Sequence, residues 1–259
     1  MDRTTEAWLD ALERRHLADF TMTEVARALR ALSSCYVERR SKLADGGALS
    51  SAGKRAAFAL FYGPQHFFVV QKIVDSLKVA GAFPGSVPDT VVDLGCGTGA
   101  AGAAWALTAG VPAIQGFDRH PWAIDEAAWT YRQFQLRGRA ARRDIGRPDV
   151  FKASDKGQGR TAFRAVLAAY AVNELAPASR AALQSTLLDA HRHGDRILIV
   201  EPIARRALSW WAEWEEAFLA AGGRADEWRF PADLPSTTRL LARAAGLDPR
   251  ELTARSLLL

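Results

Sequence analysis

Two regimes of apolar spacing divide the chain. Over residues 1–85 the apolar positions recur at helical intervals, and no segment alternates as a half-buried strand does. Thr21-Met22-Thr23-Glu24 has the spacing of a capping box, and Val25, Leu29, Leu32 and Tyr36 behind it share one helical face. Asp45-Gly46-Gly47 breaks that pattern. A further helix is expected over Ser51–Leu60, interrupted by Gly63-Pro64 before helical spacing resumes over His66–Val79. Gly81–Pro88 contains Pro84, Pro88, Gly81 and Gly85, and reads as a linker between a helical section, 1–85, and a second unit, 86–259.

From Thr90 onward, short apolar runs alternate with helical stretches, the pattern of an α/β protein with a parallel sheet and helical crossovers. Strands are expected near Thr90–Leu94, Ala113–Phe117, Arg139–Arg143, Ala162–Tyr170, Arg196–Val200 and Leu252–Leu258, with a short one at Glu227–Phe230. Helices are expected over Ala100–Ala109, Pro121–Leu136, Pro177–His191, Ala204–Ala221 and Ser236–Ala245. The sequence closes inside an apolar run, so the last strand is expected to have little tail to protect it.

Composition narrows the classes. The chain has 259 residues, 49% hydrophobic and 24% charged, which suits a globular fold with a real core. No apolar run approaches the length of a membrane span, and Met1–Glu6 lacks the layout of a secretory signal. Cys35 and Cys96 stand far apart, which argues against a disulfide framework or structural metal site and fits a cytoplasmic location. A net charge of +5 is a mild bias toward anionic partners.

The chemistry centres on Val91–Gly102, where an apolar run ends in Asp93 and glycines then alternate at Gly95, Gly97 and Gly99 ahead of a helical stretch. Such a strand, tight turn and helix start brings backbone N–H groups close to a ligand. Asp118, at the end of the next apolar run, stands where a carboxylate meets both hydroxyls of a nucleotide ribose; capping a nearby helix is its other role. Gly97–Gly102 also spells GxGxxG, the dinucleotide fingerprint, which keeps a nicotinamide-dependent oxidoreductase open. Asp93 weighs against it, because a carboxylate beside the turn meets an ammonium well and a pyrophosphate badly. A ligand with an ammonium at one end and an adenosine ribose at the other is S-adenosylmethionine.

Asp93-Leu94-Gly95-Cys96-Gly97-Thr98-Gly99 resembles the first motif of class I S-adenosylmethionine-dependent methyltransferases, and Asp118 matches the acid of their second. The resemblance covers roughly Val87–Leu259. It implies a Rossmann-like, mostly parallel seven-stranded sheet with a reversed last strand, and cofactor binding by Asp93, Gly95, Cys96, Gly97, Gly99, Asp118 and, near the adenine amino group, Asp144. The family's fourth motif corresponds to Ala168–Leu175. There Tyr170 and Asn173 can orient an acceptor and Glu174 can take a proton, although capping suits Asn173 and Glu174 equally. The segment lacks the Asn/Asp-Pro-Pro-aromatic signature of amino-group methylators of adenine, cytosine or glutamine. No cysteine outside the turn suits the RNA cytosine-C5 reaction at this site.

A finer resemblance joins the helical N-terminal section, Phe61-Tyr62-Gly63-Pro64-Gln65-His66, the glycine motif and Asn173-Glu174-Leu175. Together they are similar to methyltransferase-like proteins associated with the small ribosomal subunit. That implies an RNA or small-subunit acceptor, or a non-catalytic, cofactor-binding assembly factor. Mitochondrial members carry a cysteine cluster for iron and sulfur, which two cysteines cannot build. Arg137, Arg139, Arg142, Arg143 and Arg147, with Arg39, Arg40 and Lys42, suit RNA phosphates if they share one side of the cleft, and solvated surface otherwise. Tyr62 and His66 suit a lid or the core, Glu201 is a minor substrate-site candidate, and Trp210, Trp211 and Trp214 suit packing of a helix on the sheet.

Overall fold

The computed structural model describes residues 1–38, 49–147, 163–203, 209–247 and 249–259, with backbone alone for 35–38. Asp45-Gly46-Gly47, Arg39, Arg40, Lys42, Ala162 and the expected helix start at Ala204 lie outside those residues, as do the side chains of Cys35 and Tyr36.

A seven-stranded sheet has the order β3-β2-β1-β4-β5-β7-β6. Strands β1 (Thr90–Leu94), β2 (Ala113–Asp118), β3 (Arg137–Arg142), β4 (Arg164–Ala169) and β5 (Arg196–Glu201) run parallel. Strand β7 (Glu251–Leu258) is reversed, pairing antiparallel with β5 and with β6 (Arg224–Pro231). β7 is therefore internal, with β5 on one side and β6 on the other, rather than exposed as expected. β3 begins two residues earlier than expected, and β6 is a full eight-residue strand rather than a short one. Both lie at the sheet edges, where solvent on one side blurs the apolar pattern.

Successive strand residues face opposite layers. Val92, Leu94, Val166, Ala168, Ile197 and Ile199 pack with Leu183 and Leu187 of α7 (Pro177–Arg192) and with Trp211, Trp214 and Phe218 of α8 (Trp211–Ala220). On the other face Val91, Ile114, Ala165 and Leu198 share one buried cluster with α5 (Ala100–Ala109), with α6 (Pro121–Gln133) and with the N-terminal helices α1 (Arg3–His16), α2 (Met22–Glu38) and α4 (Gly63–Val79). Trp8 of α1, 1% exposed, reaches Phe67 of α4 and Phe134 just after α6, with ring centroids 5.1 Å away in each case. His16 Nε2 and Arg15 Nε meet the buried Glu126 of α6 at 2.7 and 3.1 Å. The N-terminal section is thus tied to the sheet layer by packing and by an ion pair.

At the start of α2 the Thr21 hydroxyl accepts from the Glu24 N–H and the Glu24 carboxylate accepts from the Thr21 N–H, a reciprocal capping box. The interruption expected at Gly63-Pro64 takes a different form. After α3 (Ala52–Ala57) the helix widens into a π turn, Phe58–Tyr62, and runs straight on into α4. Pro64 has no N–H to offer Leu60 four residues back, so the wider turn absorbs the missing donor. The freed Leu60 carbonyl accepts from the Thr238 hydroxyl at 3.1 Å, supplied by α9 (Ser236–Ala244).

Candidate functional site

Across the sheet's carboxyl ends, on both sides of the point where strand order reverses between β1 and β4, lies a cleft of about 720 Å³. The glycine turn, Asp118, the ends of β3, β4 and β5, and the π turn with the start of α4 line it.

Gly95, Gly97 and Gly99 all have positive φ, at +71°, +50° and +74°. At Gly95 space is short as well, because a Cβ there would stand 2.5 Å from the Ala171 Cβ. Gly102 lies one helical turn further on, where its Cβ would stand 2.5 Å from Asp93 Oδ2. That closeness lets the Gly102 N–H donate to Asp93 Oδ2 at 3.2 Å, securing α5 to β1. Asp93 is 1% exposed, and burial pushes its carboxyl up to about 7 against the pull of the Gly102 N–H.

Asp118 is turned back toward the glycine turn: its Oδ2 accepts from the Gly97 N–H at 3.1 Å and its Oδ1 from the His120 N–H at 2.8 Å. The cap of α6 is His120, whose Nδ1 accepts from the Trp122 N–H. Asp144 stands half-exposed at the rim, accepting from the Gly146 N–H and facing Arg147 at 4.0 Å. Cys96 is buried with its thiol pushed well above the ordinary range by burial, first of all, and by the nearby Asp93 and Asp118. A thiol so held is a poor nucleophile.

At the other end, Tyr170 adopts φ +59° directly after β4, and its ring stacks on His66 with centroids 4.1 Å apart. Burial holds His66 neutral, at about 3. Asn173 and Glu174 form a 3-10 turn, Val172–Glu174. The Asn173 N–H donates to Glu201 Oε1 at 3.2 Å, and its Oδ1 accepts from Trp210 Nε1 at 3.4 Å, so Trp210 braces the cleft besides packing α8. Glu174 faces Arg119 at 4.0 Å; desolvation, first, raises its carboxyl to about 7, with Arg119 opposing and Asp118 reinforcing. Glu201, 1% exposed at the end of β5, is raised to about 8 by burial, against the Asn173 N–H and with Glu174 reinforcing.

The structure therefore brings Asp93, Gly95, Cys96, Gly97, Asp118, Asp144, Tyr170, Asn173 and Glu174 into one cleft, whereas Gly99 packs against Tyr131 and Ala127 and does not line it. Sequence reasoning did not place Phe58, Gln65, Val69 or Glu251–Thr253 there. The π turn that delivers Phe58 has no signature except the proline that follows it. Of the arginine cluster, Arg142 and Arg143 line the cleft, Arg143 over the Phe117 ring at 5.0 Å, whereas Arg137 lies at the far end of β3 and bonds the Pro112 carbonyl.

No family model and no curated relative matches the sequence. Solved structures do match. An O-methyltransferase family protein from Burkholderia thailandensis superposes with a TM-score of 0.52 at 16% identity, over 83% of this chain and 61% of that one. The fold is the Rossmann-like methyltransferase fold. The plantazolicin methyltransferase BpumL, solved with SAH, is similar with a TM-score of 0.49 at 12% identity, over 96% of this chain and 98% of that one. The methyltransferase domain of bacterial CtHen1 follows at 0.47 and 12%, over 75% of this chain and 98% of that one. Identities this low speak for fold alone. Among the described residues no helix is long and apolar enough to cross a membrane.

Proposed function

We propose that the protein is an S-adenosylmethionine-dependent methyltransferase, in which 86–259 binds the cofactor and 1–85 roofs the acceptor end. The observation that carries this reading is the Asp118 carboxylate turned onto the Gly97 N–H beside a turn of three glycines at positive φ. Gly95 and Gly97 bring the backbone to the cleft, Gly99 lets the turn pack against Tyr131 and Ala127, Asp118 takes the ribose hydroxyls and Asp144 lies at the adenine end. Asp93 faces the amino-acid end, with Cys96 in the wall of the turn. The same arrangement disfavours a pyrophosphate, which would meet Asp93 and Asp118 where a dinucleotide site offers free N–H groups.

When bound, the cofactor supplies an electrophilic methyl group on a positively charged sulfur. The chain supplies position and dryness: Tyr170, braced by His66, and Asn173, braced by Glu201 and Trp210, fix the acceptor side, and Glu174 accepts a proton. The experiment is transfer of labelled methyl from S-adenosylmethionine into fractionated cell extract. Label in one acceptor fraction supports the enzyme. Cofactor binding with every fraction unlabelled supports the non-catalytic assembly factor instead.

A further inference from the structure

Glu201 is a carboxyl 1% exposed in the wall of the cleft; its Oε1 accepts from the Asn173 N–H and the Val172 N–H lies close enough to be felt, but Oε2 makes no hydrogen bond of good geometry among the described residues. An oxygen so buried costs stability unless a ligand supplies what the protein does not. Its surroundings say what that ligand carries. Glu174 stands in the same wall, and Tyr62, His66 and Tyr170 present rings beside it. The cations that line the cleft, Arg119, Arg142 and Arg143, come from the ends of β2 and β3; Arg119 reaches across to Glu174 at 4.0 Å, which leaves Glu201 as the carboxyl without an arginine in the cleft. Glu201 has few cations of its own. Arg180 of α7 is near enough to be felt, yet its guanidinium is bonded to the Val172 and Leu175 carbonyls. Arg255, opposite Glu201 in the β5–β7 register, is bonded to the Ile203 carbonyl and faces Glu227.

We propose that the Tyr62, His66, Tyr170, Glu174 and Glu201 end of the cleft takes the methyl acceptor as a protonated amine, whose N–H groups donate to Glu201 Oε2 and to the Glu174 carboxyl. The transfer step rests on the methyltransferase reading, whereas binding of the amine rests on the cleft alone. Two carboxyls and aromatic faces in a desolvated wall favour a cation over a neutral or anionic group of the same shape. Burial keeps Glu201 protonated at neutral pH while the site is empty, with Glu174 reinforcing and the Asn173 and Val172 N–H groups and Arg180 opposing. An arriving ammonium reverses that balance, so Glu201 ionises and releases its proton. For transfer, the nitrogen passes one proton to the Glu174 carboxylate, Glu201 stays ionised beside it, and the freed lone pair forms the N–C bond. The pair of the broken C–S bond stays on sulfur, and the product leaves as a methylammonium.

The test is calorimetric titration, with and without S-adenosylhomocysteine, of three probes of one shape: tyramine, 4-ethylphenol and 4-hydroxyphenylacetate. Tyramine is expected to bind at least about tenfold more tightly than the other two. At pH 7 its binding is expected to release about one proton, read from the heat in two buffers of different ionisation enthalpy. Glu201→Gln is expected to bring tyramine to the level of 4-ethylphenol and abolish the release. If that variant does not fold, the wild-type charge series and proton release decide alone. Parity of the three probes, preference for the neutral or anionic one, no tyramine binding, or binding without proton release overturns the proposal. Failure of S-adenosylhomocysteine to bind counts against the methyltransferase reading and leaves the amine result standing.

Discussion

The two halves of the cleft are built by different means. The half around Asp118 is backbone work: three glycines at positive φ, with Asp93 and Asp118 accepting from main-chain N–H groups. The half around Glu201 is assembled from side chains that arrive from the π turn, the 3-10 turn after β4 and the end of β5, and it leaves Glu201 Oε2 without a partner among the described residues. The carboxylates of the first half are met by main-chain N–H groups, whereas one oxygen of Glu201 in the second is not. The two are about three strand steps apart across β2, β1, β4 and β5, roughly 14 Å, a span suited to one extended ligand with an acceptor at its end.

Substitutions that touch one half and spare the other test that division. The largest effect is expected from Gly102→Ala, which drives a methyl into Asp93 Oδ2. Overpacking is expected to cost about 3 kcal/mol of stability in urea unfolding and, by displacing the Asp93 carboxylate, to weaken S-adenosylhomocysteine binding with tyramine binding preserved. Asp118→Ala leaves ribose hydroxyls and the Gly97 N–H without their acceptor, and a loss of about tenfold in S-adenosylhomocysteine affinity is expected by calorimetry.

The Glu201 half is expected to show itself in pH. Glu174 and Glu201 are raised to about 7 and 8, and Asp93 in the other half to about 7, so the folded chain holds more protons than the unfolded one above about pH 4. Stability from these groups therefore falls as pH rises from about 4 to about 8. Urea unfolding of Glu201→Gln is expected to show a gain over wild type at pH 8 that is absent at pH 5; a gain equal at both would refute the buried acid. The smallest effect is expected from Thr238→Val, which leaves the Leu60 carbonyl without its hydroxyl donor. A loss of about 1 kcal/mol in urea is expected, with S-adenosylhomocysteine affinity unchanged.

The same division separates what the sequence reveals from what it hides. Asp93, the glycines and Asp118 are near neighbours along the chain, and tight turns restrict residue type, so spacing alone exposes that half. The parallel sheet was legible because buried central strands are continuous apolar runs between helical stretches, whereas the reversed last strand was implied by the resemblance alone. The edge strands were not: Arg137–Arg142 faces solvent along one side, which removes the apolar signal and shifts its apparent start. Nothing local links Pro64 to Thr238, yet the hydroxyl 178 residues from Leu60 is what settles the π turn. Glu201 could be placed at a strand end from sequence, but an oxygen lacking a partner is a fact of packing between β5, the 3-10 turn and α4.

Titration of S-adenosylhomocysteine and of NAD into the wild-type chain tests the central claim most directly. Saturable binding of S-adenosylhomocysteine, weakened by Asp118→Ala, is expected, with no binding of NAD. Binding of NAD with S-adenosylhomocysteine ignored would contradict it.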